Sequence, residues 1–161
     1  MNPISFDELD VQFPEGFCQH LSMFGALSQD SLAFLLQKGT LYRAEAGDQL
    51  FRLGDSSDHF FVIIDGSVRF YQHRDNDGER VPLRLYKAGE QIGFVGMIGL
   101  HQRRGDAMIE TGGYLLEISS ALFHQLCEQY PEMFMIFLIN ITREMSREIS
   151  HLDEMCAAKP I

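Results

Sequence analysis

The sequence predicts a mainly-β domain of short antiparallel strands, closed as a sandwich or barrel, with helices on either side. Three observations carry that expectation. Between residues 40 and 118 the apolar residues follow a period of two rather than about 3.6. Turn signals at Gly47-Asp48, Gly54-Asp55, Asp65-Gly66, Asn76-Asp77-Gly78, Ala88-Gly89 and Gly112-Gly113 recur roughly every 8 to 12 residues, as in sandwiches and barrels. Helical periodicity stands before and after this region.

Residues 1 to 20 read as a loose arm or a short helix. The stretch LSQDSLAFLLQKG predicts a helix, with Ser28 as N-cap, Asp30 in the first turn and Gly39 as the stop. Leu32, Leu35 and Leu36 form its apolar stripe. The run FFVIID (60 to 65) is apolar on both faces and predicts a central strand, and RDNDGE (74 to 79) a hairpin tip. After Ile118 a helix begins, capped by Ser119 or Ser120, with Cys127 in its apolar stripe as an expected buried thiol. Pro131 suits the first turn of a second, longer helix. There Phe134, Leu138, Ile141, Met145, Leu152 and Met155 recur at spacings of 4, 3, 4, 7 and 3, close to a heptad seam. Such a helix needs two surfaces to bury its apolar positions, the barrel and a second copy of the chain. Leu138, Ile141, Met145 and Leu152 are the expected dimer or helix seam, and a homodimer is the expected assembly. The main domain is placed at 21–152, between the arm and a tail at 153–161.

The chain of 161 residues carries 13 Lys and Arg against 23 Asp and Glu, a formal charge of −10. That sign argues against duplex DNA and against an anionic membrane surface. The charge is uneven. Residues 69 to 104 hold seven basic and four acidic side chains, net +3, and the remainder holds six and nineteen, net −13. An acidic protein with a positive middle suits a small anion. Three scattered cysteines, no charged-then-apolar leader and no long apolar run predict a reducing, cytoplasmic setting without a membrane span.

Catalytic motifs are absent. There is no Gly-x-Ser-x-Gly elbow, P-loop or cysteine active-site pattern, so an enzyme is not expected. A cupin-type metal barrel is the rival architecture, but among the six histidines no His-x-His pair occurs, and no metal is expected.

The order of helix, about eight short strands and two helices resembles the cyclic nucleotide-binding domains, over roughly residues 21 to 150. Gly47, Gly54, Asp55, Phe61, Ile63, Gly66 and Val68 stand at that family's positions. The resemblance implies a β-roll (a double-stranded β-helix or jelly roll) with an N-terminal helix and a long C-terminal helix. It also implies a phosphate-binding cassette, which in the family reads like F-G-E-L-A-L-L followed by P-R-x-A-T/S. Here the stretch is IGFVGMIGLHQRRGDAM. The implied ligand-binding residues are Gly93, Phe94, Val95, Gly96, Arg103, Arg104, Gly105 and Asp106. Arg103 fits the kinase-type spacing of the family arginine and Arg104 the bacterial activator spacing. Phe94 replaces the family Glu that takes the ribose hydroxyl, and is expected to offer a stacking face, block the pocket or fill the core. Asp106, or Gly105 under the other spacing, replaces the small hydroxyl residue, and Asp106 is expected to pair with Arg103 or Arg104. Glu148 and Ile149 stand where the activator has a Thr-Ser pair at the base.

The expected function is a stand-alone sensor or regulatory module that binds cyclic AMP or another small anion and passes the signal through the C-terminal helix to a protein partner or dimer surface. A degenerate interaction module (adaptor) without nucleotide binding is the alternative. A third reading is the effector domain of a truncated transcription regulator, since only SHLDEMCAAKPI follows the long helix and no DNA contact is expected.

Overall fold

The computed structural model describes residues 1–158. Seven strands form one antiparallel sheet rolled around its own inner face. In chain order they are β1 (Asn2–Ile4), β2 (Thr40–Ala44), β3 (Gln49–Phe51), β4 (His59–His73), β5 (Arg80–Lys87), β6 (Gln91–Ile92) and β7 (Asp106–Ser119). The helices are α1 (Phe6–Gln12), α2 (Gln29–Lys38), α3 (Phe94–Ile98), α4 (Ser120–Gln129) and α5 (Pro131–Ala157). The sheet runs β1-β2-β7-β4-β5, with β3 added on β7 and β6 on β4.

The 15-residue β4 and the 14-residue β7 are the spine, and are longer than the short strands expected. Their alternation explains why FFVIID is apolar throughout. Phe60, Val62 and Ile64 pack against the helices, while Phe61 and Ile63 point into the roll with Val68, Ile109 and Leu115. Both spine strands bend where the register shifts between Ile63 and Val68. Gly66 sits there at φ +88, and a Cβ on it would lie 2.5 Å from the Thr111 carbonyl oxygen. Only glycine permits that crossing.

The caps follow local chemistry. Ser28 Oγ accepts from the Ser31 N–H to start α2, Ser119 does the same for α4, and Pro131 opens α5. Of the two readings of residues 1 to 20, the short helix is the one observed: α1 carries a capping box of Ser5 and Glu8, β1 before it pairs with β2, and Leu9 is 2% exposed in the core. Two expectations are corrected. The tail is not separate from the domain, because α5 continues through 153 to Ala157, and its last three positions lie outside the described residues. Cys127 is half-buried rather than buried.

The α5 helix divides the expected seam. Ile141 is fully buried against the roll with Phe137, and Met145 packs partly on the same core. Leu138 and Leu152 are exposed instead, together with Met135 and Ile149. No helix among the described residues is long and apolar enough to cross a membrane.

Candidate functional site

Strand β6 ends at Ile92, and Gly93, with a φ of +99, turns the chain into α3. A Cβ at Gly93 would meet Arg103 Nη1 at 2.5 Å, so glycine is what lets the guanidinium approach the backbone. Arg103 Nη1 donates to the Gly93 carbonyl at 2.8 Å, and Nη2 donates to the His59 carbonyl. The guanidinium carbon sits 4.4 Å from the centre of the Phe51 ring. Arg103 is 3% exposed, and its buried Nε has no hydrogen-bond partner. Burial lowers its pKa from the ordinary guanidinium value, opposed by the charges of Asp58, Asp55 and Glu117. Arg104, next in sequence, is exposed.

Both arginines line a cavity of about 200 Å³ inside the mouth of the roll. Gly93, Val95 and Gly96 line it from the start of α3, Phe51, Phe70 and Tyr86 from the sheet, and Glu148 from α5. The Phe94 N–H is already taken by Gln91 Oε1 at 3.1 Å. The N–H groups of Val95 and Gly96 lie in the first helical turn, where no intrahelical acceptor exists.

Phe94 does not offer a stacking face. It is 3% exposed and turned away from the cavity, with its ring edge-on to Phe60 at 5.2 Å and to Phe123 at 5.6 Å. Asp106 likewise pairs with neither neighbouring arginine. Its carboxylate accepts from the Leu53 N–H at 2.8 Å and contacts His73 Nε2 at 3.0 Å and Arg80 at 3.6 Å. These contacts hold it beside the ends of β3, β4 and β5, and it does not line the cavity. Gly105 does not line the cavity either; a Cβ there would run into the Tyr71 carbonyl and the Phe70 ring.

The α5 side is a polar latch that the sequence did not single out. Tyr86 Oη donates to Glu148 Oε1 at 2.6 Å. Arg84 Nη1 lies 3.0 Å from Glu148 Oε2, out of line for a hydrogen bond, and Nη2 bonds Glu90. Burial first and Glu148 second push the Tyr86 phenol far up, so it stays a donor. One turn earlier, the Glu144 carboxylate accepts from the Gln91 N–H at 2.9 and 3.3 Å. Gln91 in turn holds Phe94, so α5 is tied to the base of the cassette through Glu144, Gln91 and Phe94. Only Glu148 was visible beforehand, through register with the activator; Tyr86, Gln91 and Glu144 carry no motif.

Burial pushes the Glu144 carboxyl up to about 7, with Glu90 and Glu148 raising it and the Gln91 N–H and Arg84 opposing. A folded pKa above the unfolded one adds stability that is present below pH ~4.5 and lost as pH rises through about 7. The expected loss is about 1.4 kcal/mol per pH unit across that window. Glu144→Gln should flatten the slope, as read by urea unfolding at several pH values between those limits. An unchanged slope contradicts the assignment.

An antiparallel roll, closed by a short helix and an arginine-bearing loop and crossed by a long helix, is the architecture of a regulatory ligand-binding module. The chain matches the cyclic nucleotide-binding domain family model over residues 42–130 and belongs to that family. Its fold is similar to that of a cyclic nucleotide-binding domain from Methylobacillus flagellatus, with a TM-score of 0.80 and 21% identity, over 90% of this chain and 84% of that one. It is also similar to the c-di-GMP responsive global regulator CLP of Xanthomonas campestris, with a TM-score of 0.71 and 23% identity, over 81% of this chain and 63% of that one. A lysophospholipase NTE1 of Cryptococcus neoformans is 30% identical over 115 residues, which is 71% of this chain but 7% of that protein.

Proposed function

We propose that this chain is a regulatory sensor in which a small anionic ligand enters the roll cavity and displaces α5. One observation carries the reading: the cavity is lined both by the cassette arginines and by Glu148 of α5. Arg104 supplies an accessible charge and the Val95 and Gly96 N–H groups supply donors, and both suit a phosphate. At about 200 Å³ the cavity is below the ~300 Å³ of ordinary ligand pockets. A cyclic mononucleotide therefore has to break the Tyr86–Glu148 and Arg84–Glu148 contacts to fit. Breaking them weakens binding and frees α5 at the same time, so a ligand that gains more from the cassette than it loses at the latch shifts the helix population.

The exposed face of α5 is the output surface. Met135, Leu138, Thr142, Met145, Ile149 and Leu152 alternate at spacings of three and four, a heptad seam one residue round from the buried one. The apolar residues Met135, Leu138, Ile149 and Leu152, left uncovered by the roll, favour a homodimer in which a second copy covers them. Ile149→Glu with Leu152→Glu should convert a dimer to a monomer in sedimentation while leaving the circular dichroism spectrum intact; a wild-type monomer overturns this part.

Calorimetric titration with cyclic AMP, cyclic GMP and cyclic di-GMP tests the sensor. Binding of one of them, lost in Arg104→Ala with the fold intact, is the expected outcome. The Tyr86–Glu148 hydrogen bond that closes the cavity favours a second reading, an adaptor without nucleotide binding. No heat and no thermal shift with any of the three at millimolar concentration selects it.

A further inference from the structure

We propose a second ligand site, separate from the roll cavity, that takes a small organic cation with an apolar body. It is a cavity of about 270 Å³ between α1, the segment after it and α2. Leu9 and Leu36 form its buried apolar wall, and Phe13 and Phe17 stack beside it with ring centroids 4.4 Å apart. Two carboxylates, Asp10 and Glu15, stand at its exposed lip. No Lys, Arg or His among the described residues lines it. An anionic occupant would meet only negative charge, and a fully polar one would leave the aromatic wall unpaired. An alkyl or aryl ammonium satisfies both, with its body on the leucines and the aromatic pair and its charge at the carboxylates.

Two further observations agree. Cys18 faces the same cavity, and burial together with the nearby Asp10 pushes its thiol up to about 11, so the wall stays neutral while the lip is negative. The chain outside residues 69–104 is net −13, which raises the local concentration of cations. The site also spans elements that hold the N-terminal region on the core, so an occupant would tie α1 to α2.

The test uses hexyltrimethylammonium as the probe and hexanoate, of the same chain length, as its control. Amide shifts in nitrogen-15 NMR of the full chain should move at Leu9, Phe13, Phe17 and Cys18 with the cation. Hexanoate should bind about ten-fold more weakly or worse. Asp10→Asn with Glu15→Gln, both on the surface, should remove the preference, and Ala33→Leu, which fills the cavity, should remove the shifts. Equal binding of the two probes, shifts confined to other residues, or a preference that survives the double carboxylate variant overturns the proposal. Should Ala33→Leu fail to fold, the double variant alone decides.

Discussion

Replacing Arg103 by alanine should cost about 3–5 kcal/mol of folding stability, whereas Arg104→Ala should change it by about 0.5 kcal/mol or less. The two arginines are adjacent in sequence but occupy different environments. Arg103 is 3% exposed, donates to the Gly93 and His59 carbonyls and stacks on Phe51. Removing it orphans two carbonyls beside the cassette and opens a void between Phe51 and Gly93. The Gly93 turn then loses the contact that holds its φ of +99. Chemical denaturation of the two variants side by side checks this, and similar losses for both would contradict the buried placement. The pair also separates folding from ligand binding: a binding defect in Arg104→Ala is interpretable, whereas one in Arg103→Ala reports the collapsed cassette as well.

Restoring the family carboxylate by Phe94→Glu should unfold the domain or cost more than about 4 kcal/mol. The family resemblance alone would predict the opposite, a gain of ribose recognition. Phe94 lies among Phe60, Phe123 and the rest of the helical core, an apolar setting for a carboxylate. A glutamate would have to be buried unpaired or swing out and leave an aromatic-sized hole. Phe94→Leu, which keeps the core apolar, should cost about 1–3 kcal/mol and isolate the packing contribution. Thermal unfolding by circular dichroism reads both. A stable Phe94→Glu protein that gains cyclic AMP binding would show that position 94 turns toward the cavity in solution.

These two variants mark where local pattern stops being informative. A one-residue choice of spacing decided whether Arg103 or Arg104 matched the family arginine, and the spacing alone supported both. What separates the two is placement: Gly93, His59 and Phe51 come to Arg103 from the turn after β6, the start of β4 and β3, whereas Arg104 is exposed. Asp106 is similar. It looked like a partner for its neighbours, but its acceptors are filled by Leu53, 53 residues away in sequence, and His73, 33 residues away. Asp106 opens β7 and is held at the ends of β3 and β4, whereas Arg103 in the loop before it is held by the Gly93 and His59 carbonyls, so nearness in sequence is a poor guide to pairing here.

What the sequence determined by itself is what short-range chemistry controls. Glycine-bearing turns and a period of two specify a rolled antiparallel sheet; Ser28, Ser119 and Pro131 specify where helices start; the continuous apolar run from Phe60 to Ile64 specifies a strand covered on both faces. Only the tertiary structure decided which way the short helix α3 faces, and with it whether Phe94 belongs to the core or the cavity. The same holds for the Tyr86–Glu148 latch, for the Glu144–Gln91 tie and for the rotation of α5 that buries Ile141 and leaves Leu138 and Leu152 outside. The physical reason is common to all of them. A five-residue helix or one more apolar residue in a long helix has several locally equivalent orientations, and packing against residues distant in sequence selects one.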